Sequence, residues 1–263
     1  MDVAALLPLL EPLAAVAMLA MARAGGLLLA LPSMASGTMP RQVKAIVVLA
    51  ISLSLMGTAA PPSLAALDIF TLVVALVGEL VVGLVLGFVV HIVLGGIRMA
   101  GEIIGVEIGL SFSAIADPMN PGVSTPTAAI LGHLGVQLLF ALGLDRALVY
   151  GLGKSVQRLP LGAGALSGDT VSVLSQQTGD AFASSLHFAL PVMAAVLAVK
   201  LAIAVLARFV PRLQIFSLAF GIVLAIGLHA LHQALPGLGQ AISARLWGML
   251  AMIDQLLATM GAR

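Results

Sequence analysis

Apolar residues fall in runs long enough to cross a bilayer, near 3–32, 43–60, 69–97, 128–152, 182–207 and 213–235, with a weaker run at 241–260. Between them lie breaks rich in turn residues: "PSMASGTMPRQVK", "APPSLAALD", "GEIIGVEIGLSFSAIADPMNPGVSTPT", "RLPLGAGALSGD" and "RFVPRLQ". Backbone groups in lipid must be satisfied within their own segment, so every run is predicted to be a helix. The pattern therefore predicts an all-α polytopic membrane protein. The run 69–97 holds 29 residues, or about 43 Å of helix against roughly 30 Å of hydrocarbon. It must tilt, kink or rise out of the bilayer.

Composition agrees. Of 263 residues, 61% are hydrophobic and 9% charged, whereas soluble domains carry about 25% charged residues to clothe a watery surface. The net charge of +1 offers no basic footprint for nucleic acid. There is no cysteine, which excludes disulfides and thiolate chemistry. Trp247 and Tyr150 are single representatives of their kinds, so an aromatic belt is nearly absent. At the N-terminus Asp2 and Glu11 precede the first basic residue, Arg23, and a retained segment is expected in place of a cleaved signal. If the first six runs all cross, Arg41, Lys44, Arg98, Arg208 and Arg212 share one side and Lys154 and Arg158 the other, which favours an external N-terminus.

Charges inside oily runs are informative because each costs about 2.5–3.5 kcal/mol at the membrane centre on insertion scales. Glu79 lies ten residues into its run and should face protein or water, as a buried structural carboxylate or as a relay group. Lys200 sits seven residues before a break and can snorkel. Asp145 and Arg146 read as a segment end near an interface. From Glu79 a four-residue spacing runs through Gly83, Gly87, His91, Gly95 and Met99, and another joins Gly101, Gly105 and Gly109. Small residues so spaced let helix backbones approach closely, and packing within one bundle is their plain reading.

Catalysis has no foothold. His229 and His232 stand three apart without a carboxylate to complete a metal site. "GLSFS" is not a nucleophile elbow, and neither a zinc-protease H-E-x-x-H nor a phosphate-cradling loop ending in Gly-Lys-Ser/Thr occurs. No enzyme, metal or other cofactor is expected.

The stretch 101–127 is half oily and half turn. Leu110, Phe112, Ile115 and Met119 alternate with Ser111, Ser113, Asp117 and Asn120, while Asp117-Pro118 and Asn120-Pro121-Gly122 favour turns. A loop over the surface is the ordinary reading. Irregular backbone at membrane depth, however, persists only when buried in protein or lining a cavity.

"GEIIGVEIGLSFSAIADP" at 101–118 resembles the signature of the FliR family, the export-gate subunit of flagellar-type type III secretion systems. The resemblance extends to Arg23, Pro32, Pro40-Arg41 and Lys44, to "GELVVGLVLGF" at 78–88, "LPLG" at 159–162, "ALPV" at 189–192 and "LARFVPRLQIFSLAF" at 206–220. Lys200 departs from it, standing where relatives usually carry an acidic or neutral polar residue, as does Ala204, where they often carry Gly.

The resemblance implies long helical hairpins, with a FliP-like portion at 1–180 followed by a FliQ-like portion at 181–263. It implies a non-enzymatic core subunit of the export gate in the bacterial inner membrane, within the flagellum basal body, that helps initiate basal-body assembly. The implied partners are FliP, FliQ and FlhB-type subunits, an FlhA-type export protein and the transiting flagellar proteins. The loop 109–125 would plug the channel. Gly109, Leu110, Ser111, Phe112, Ile115, Asp117 and Pro118 carry that role, with Leu110, Phe112 and Ile115 sealing and Asp117-Pro118 setting the return. Glu79, Glu102 and Arg208 are read as structural polar contacts, and Gly83, Gly87, Gly101 and Gly105 as helix-packing positions. The rival reading is a secondary transporter conducting through Glu79, Glu102, Lys200 and His91, although the internal repeat that such folds usually show is missing.

Overall fold

The computed structural model describes residues 3–31, 40–57, 69–111, 124–163, 168–209 and 215–261. Among them the chain forms seven helices: α1 (Val3–Ala30), α2 (Arg41–Met56), α3 (Ile69–Glu107), α4 (Pro126–Ala141), α5 (Leu144–Arg158), α6 (Gly168–Phe209) and α7 (Ile215–Gly261). No strand occurs among the described residues.

The helices depart from the apolar runs in four places. The run 69–97 continues to Glu107, giving 39 residues, about 58 Å of helix. Glycines 101 and 105 do not end it, because each presses against another segment. The run 128–152 is two helices, since Gly143 takes a left-handed φ of +69° that favours glycine and breaks the helix. The runs 213–235 and 241–260 are one 47-residue helix that carries Pro236 in its interior, as α6 carries Pro191. Helix α2 has 16 residues, about 24 Å, and falls short of the hydrocarbon thickness. Among the described residues four helices are long and apolar enough to cross a membrane, or five if α4 and α5 count as one broken span. That is fewer than the six runs suggest.

Contacts divide the chain into two compact units. The first holds Met1–Ile92, Gly143–Gln177 and Trp247–Arg263, and the second holds Val93–Leu142 and Thr178–Leu246. In the first unit Leu19, Ala20 and Ala24 of α1, Val82 and Leu86 of α3, Leu144 and Leu152 of α5, and Leu256 of α7 are buried. Here α1 and α3 touch backbone to backbone. A Cβ on Gly83 would fall on the Arg23 carbonyl oxygen, and one on Gly87 would lie 2.5 Å from that of Leu27.

The second unit is built on Ile97, Ile104 and Ile108 of α3, Ala128 and Leu131 of α4, Ala189, Val192 and Val196 of α6, and Leu238, Ile242 and Leu246 of α7. A Cβ on Gly101 would sit 2.5 Å from the Ala128 Cα, so α3 and α4 also meet at a glycine. In the 18-residue apolar window of each of the candidate spans in α6 and α7, only 17% is buried within the chain. Leu190, Leu197, Leu201 and Val205 of α6 remain exposed, a surface suited to lipid or protein but not to water.

Candidate functional site

The end of α3 is shaped by its own backbone. The Leu110 amide donates to the Gly105 carbonyl at 2.8 Å and the Gly109 amide to Val106 at 3.2 Å, with Gly109 at a φ of +86°. This is the Schellman arrangement, which satisfies the last carbonyls of a helix and needs a residue able to adopt the left-handed region. Leu110 and Ser111, both half-buried, lead out of it.

The chain returns to the same turn of α3. Both carboxylate oxygens of Glu102 accept from the Thr125 amide, at 3.1 and 3.2 Å. Thr127 Oγ1 donates to the Gly101 carbonyl at 2.7 Å, and Thr125 Oγ1 caps α4 by accepting from the Ala128 amide at 3.3 Å. A Cβ on Gly105 would lie 2.5 Å from the hydroxyls of both threonines. Exit and return are thereby tied within about two turns, at Glu102, Gly105 and Gly109. Of the candidate loop residues, Phe112, Ile115, Asp117 and Pro118 lie outside the described residues.

Helices α6 and α7 hold this root from other sides. Lys200 Nζ donates to Glu107 at 2.8 Å. The Ile108 side chain occupies the space that a Cβ on Gly227 would take, and a Cβ on Gly109 would meet the Phe220 ring at 3.2 Å. Arg208 is exposed in the last turn of α6 and makes no ion pair among the described residues.

Glu79 belongs to the other unit and to a different cluster. It accepts from Arg23 through Nε and, at 2.9 Å, through Nη2. The Gly162 amide donates to the same carboxylate at 2.8 Å, and Arg23 Nη1 donates to Ser155 Oγ at 3.2 Å. Arg23, Glu79 and Ser155 are wholly buried. Every charged atom is thus met by a partner, which a buried ion pair requires to persist. His91 stacks on Phe88 with centroids 6.2 Å apart. Glu79, Glu102 and Lys200, the rival transporter's residues, each bond to a protein partner of their own. Among the described residues no three His, Asp or Glu side chains come together to hold a metal ion.

Sequence reasoning did not foresee Ser155, Gly162, Thr125, Thr127 or Glu107 as partners. Arg23 carried a usable signal, because it is the one basic residue of the first apolar run and faces the same membrane cost as Glu79.

A model of the family "bacterial export proteins, family 1" matches residues 14–249. The chain belongs to this family. It is similar to the flagellar biosynthetic protein FliR of Escherichia coli (strain K12), 28% identical over 211 residues that cover 78% of each chain. FliR of Caulobacter vibrioides is 27% identical over 235 residues, 88% of this chain and 92% of the relative. The Yop proteins translocation protein T of Yersinia pestis is 25% identical over 161 residues, 60% of this chain and 62% of the relative. The resemblance to FliR carried by the 101–118 run thus extends along most of the chain, and the matched region includes Arg23, Glu79, the root at Gly109 and Lys200.

Proposed function

We propose that this chain is a non-enzymatic core subunit of a flagellar-type protein export gate in the bacterial inner membrane, within the flagellum basal body. The observation that carries this reading is the family match over 14–249, with FliR relatives similar along most of the chain. Residues 1–180 act as a FliP-like portion and 181–263 as a FliQ-like portion. They assemble with FliP, FliQ and FlhB-type subunits and an FlhA-type export protein around a channel for transiting flagellar proteins, helping to initiate the basal body. The exposed apolar faces of α6 and α7 suit burial against such subunits.

In this reading 109–125 is the plug. Leu110, Phe112 and Ile115 seal the channel by excluding water from a narrow apolar constriction, which blocks ions as well as proteins. Asp117-Pro118 turns the segment back. The anchoring supports the assignment: a segment that yields to a passing chain and then reseats needs fixed ends, and the Schellman turn at Gly109 and the Glu102–Thr125 bonds supply them. Arg208 is an inter-subunit contact.

Deletion of residues 110–119 tests the plug. In the reconstituted gate complex the deletion should raise the conductance to small ions while assembly is retained. Unchanged leakage in an intact complex would remove the plug assignment.

A further inference from the structure

Helix α5 differs in kind from its neighbours. Leu144, Leu148, Leu152 and Val156 are buried along one stripe, whereas Arg146, Tyr150 and Lys154 recur every four residues on another. An apolar stripe opposed by a cationic and aromatic one marks helices that lie at a membrane interface. Between this second stripe and α2 lies a cavity of about 360 Å³. Ile51, Ser54 and Leu55 of α2 line one wall, and Arg146, Tyr150 and Lys154 stand on the other. Among the described residues no acidic side chain lines it. Lys154 Nζ lies 5.2 Å from the centre of the Tyr150 ring, which holds the ammonium by its π face while leaving its protons free to donate. Neither Arg146 nor Lys154 makes an ion pair among the described residues.

The second feature is the cavity's apolar side. Ile51 and Leu55 of α2 and Val149 of α5 line it beside the two cations. Two cations without an ion pair among the described residues, hydroxyl donors and an apolar wall match one ligand chemistry. Its phosphate would sit between guanidinium and ammonium, and its hydrocarbon along that wall. We propose that this cavity binds an anionic phospholipid, with the phosphodiester between Arg146 and Lys154 and the head of an acyl chain against Ile51, Leu55 and Val149. Basic pockets between membrane helices bind anionic headgroups by the same physics. The site lies in the first unit and does not depend on the plug.

The experiment reads lipid retained by the full chain in its membrane complex, exchanged into mixed micelles of phosphatidylglycerol and phosphatidylcholine and quantified by native mass spectrometry. The wild type should retain phosphatidylglycerol several-fold over phosphatidylcholine. The pair Arg146→Gln with Lys154→Gln should abolish that preference with the thermal midpoint unchanged, whereas Arg146→Lys with Lys154→Arg should preserve it. Ile51→Ser should weaken retention of the diacyl lipid. Equal retention of the two lipids, or a preference that survives the Gln pair, would overturn the proposal. Two further outcomes would also overturn it: displacement of the lipid by inorganic phosphate alone, which indicates a phosphate site, and loss of a partner subunit with lipid retention intact, which indicates a protein contact.

Discussion

The Glu79 carboxylate is held by the Arg23 guanidinium across 56 residues of sequence, with both side chains wholly buried. The pair joins α1 to α3 at the point where Gly83 lets their backbones meet, and through Ser155 and Gly162 it also holds the last turn of α5 and the turn that follows it. Removing one charge strands the other. Glu79→Ala and Arg23→Ala should each destabilise the protein by about 3–5 kcal/mol, because an uncompensated buried charge remains. Arg23→Met combined with Glu79→Leu should cost less than either single change. Thermal unfolding of the detergent-solubilised protein checks the order, and additive losses in the double variant would contradict it.

Glycines of α3 should separate into two classes. A Cβ on Gly83 meets the backbone of Arg23 and Leu27, neither of which can swing away, whereas one on Gly95 meets nothing within 4 Å. Gly83→Ala should cost about 1–3 kcal/mol through overpacking. Gly95→Ala should be neutral or stabilise by about 0.4–1 kcal/mol, since alanine loses less backbone freedom on folding. The same unfolding measurement, run on both variants, decides it.

The return of the 109–125 segment depends on one carboxylate. Glu102→Ala leaves the Thr125 amide, on a residue only 4% exposed, without its acceptor. An unsatisfied buried donor costs about 1–3 kcal/mol. Hydrogen exchange at the first amides of α4 should therefore accelerate in Glu102→Ala. It should be partly restored in Glu102→Gln, whose amide oxygen still accepts. Equal exchange in all three proteins would show that Glu102 does not anchor this end.

Lys200 and Glu107 are partly exposed, so their bond is screened and modest, about 0.2–1 kcal/mol. Reversal of either charge alone, Lys200→Glu or Glu107→Lys, should lower the thermal midpoint slightly and place like charges together. The double reversal should recover it. A double-mutant cycle with no coupling would remove the ion pair as a tie between α6 and the end of α3.

Much of the helical order is legible in the pattern of apolar runs, because in lipid hydrophobicity and helix formation report the same constraint. The boundaries are less legible where packing overrides punctuation. The stretch that opens at Gly101 reads as a break, but its first seven residues continue α3, where Ala128, Thr125 and Thr127 press on Gly101 and Gly105. Pro236 opens the gap between the runs 213–235 and 241–260 but is carried inside α7. The opposite happens at Gly143, where an apolar run conceals a left-handed turn whose only signal is the glycine before Leu144-Asp145. The polar clusters were legible only one partner at a time. Glu79, Glu102 and Lys200 stand out as charges in oily surroundings, but that Arg23, Thr125 and Glu107 answer them depends on contacts 56, 23 and 93 residues away. Periodicity carries no information at that range.

The most direct test of the export-gate reading is the mass of the complexes that contain this chain when cell membranes are gently solubilised and examined by native mass spectrometry. The expected result is a large hetero-oligomer in which this chain is joined by several FliP-like and FliQ-like subunits. This chain found only as a monomer or homo-oligomer, stable and without those partners, would contradict it.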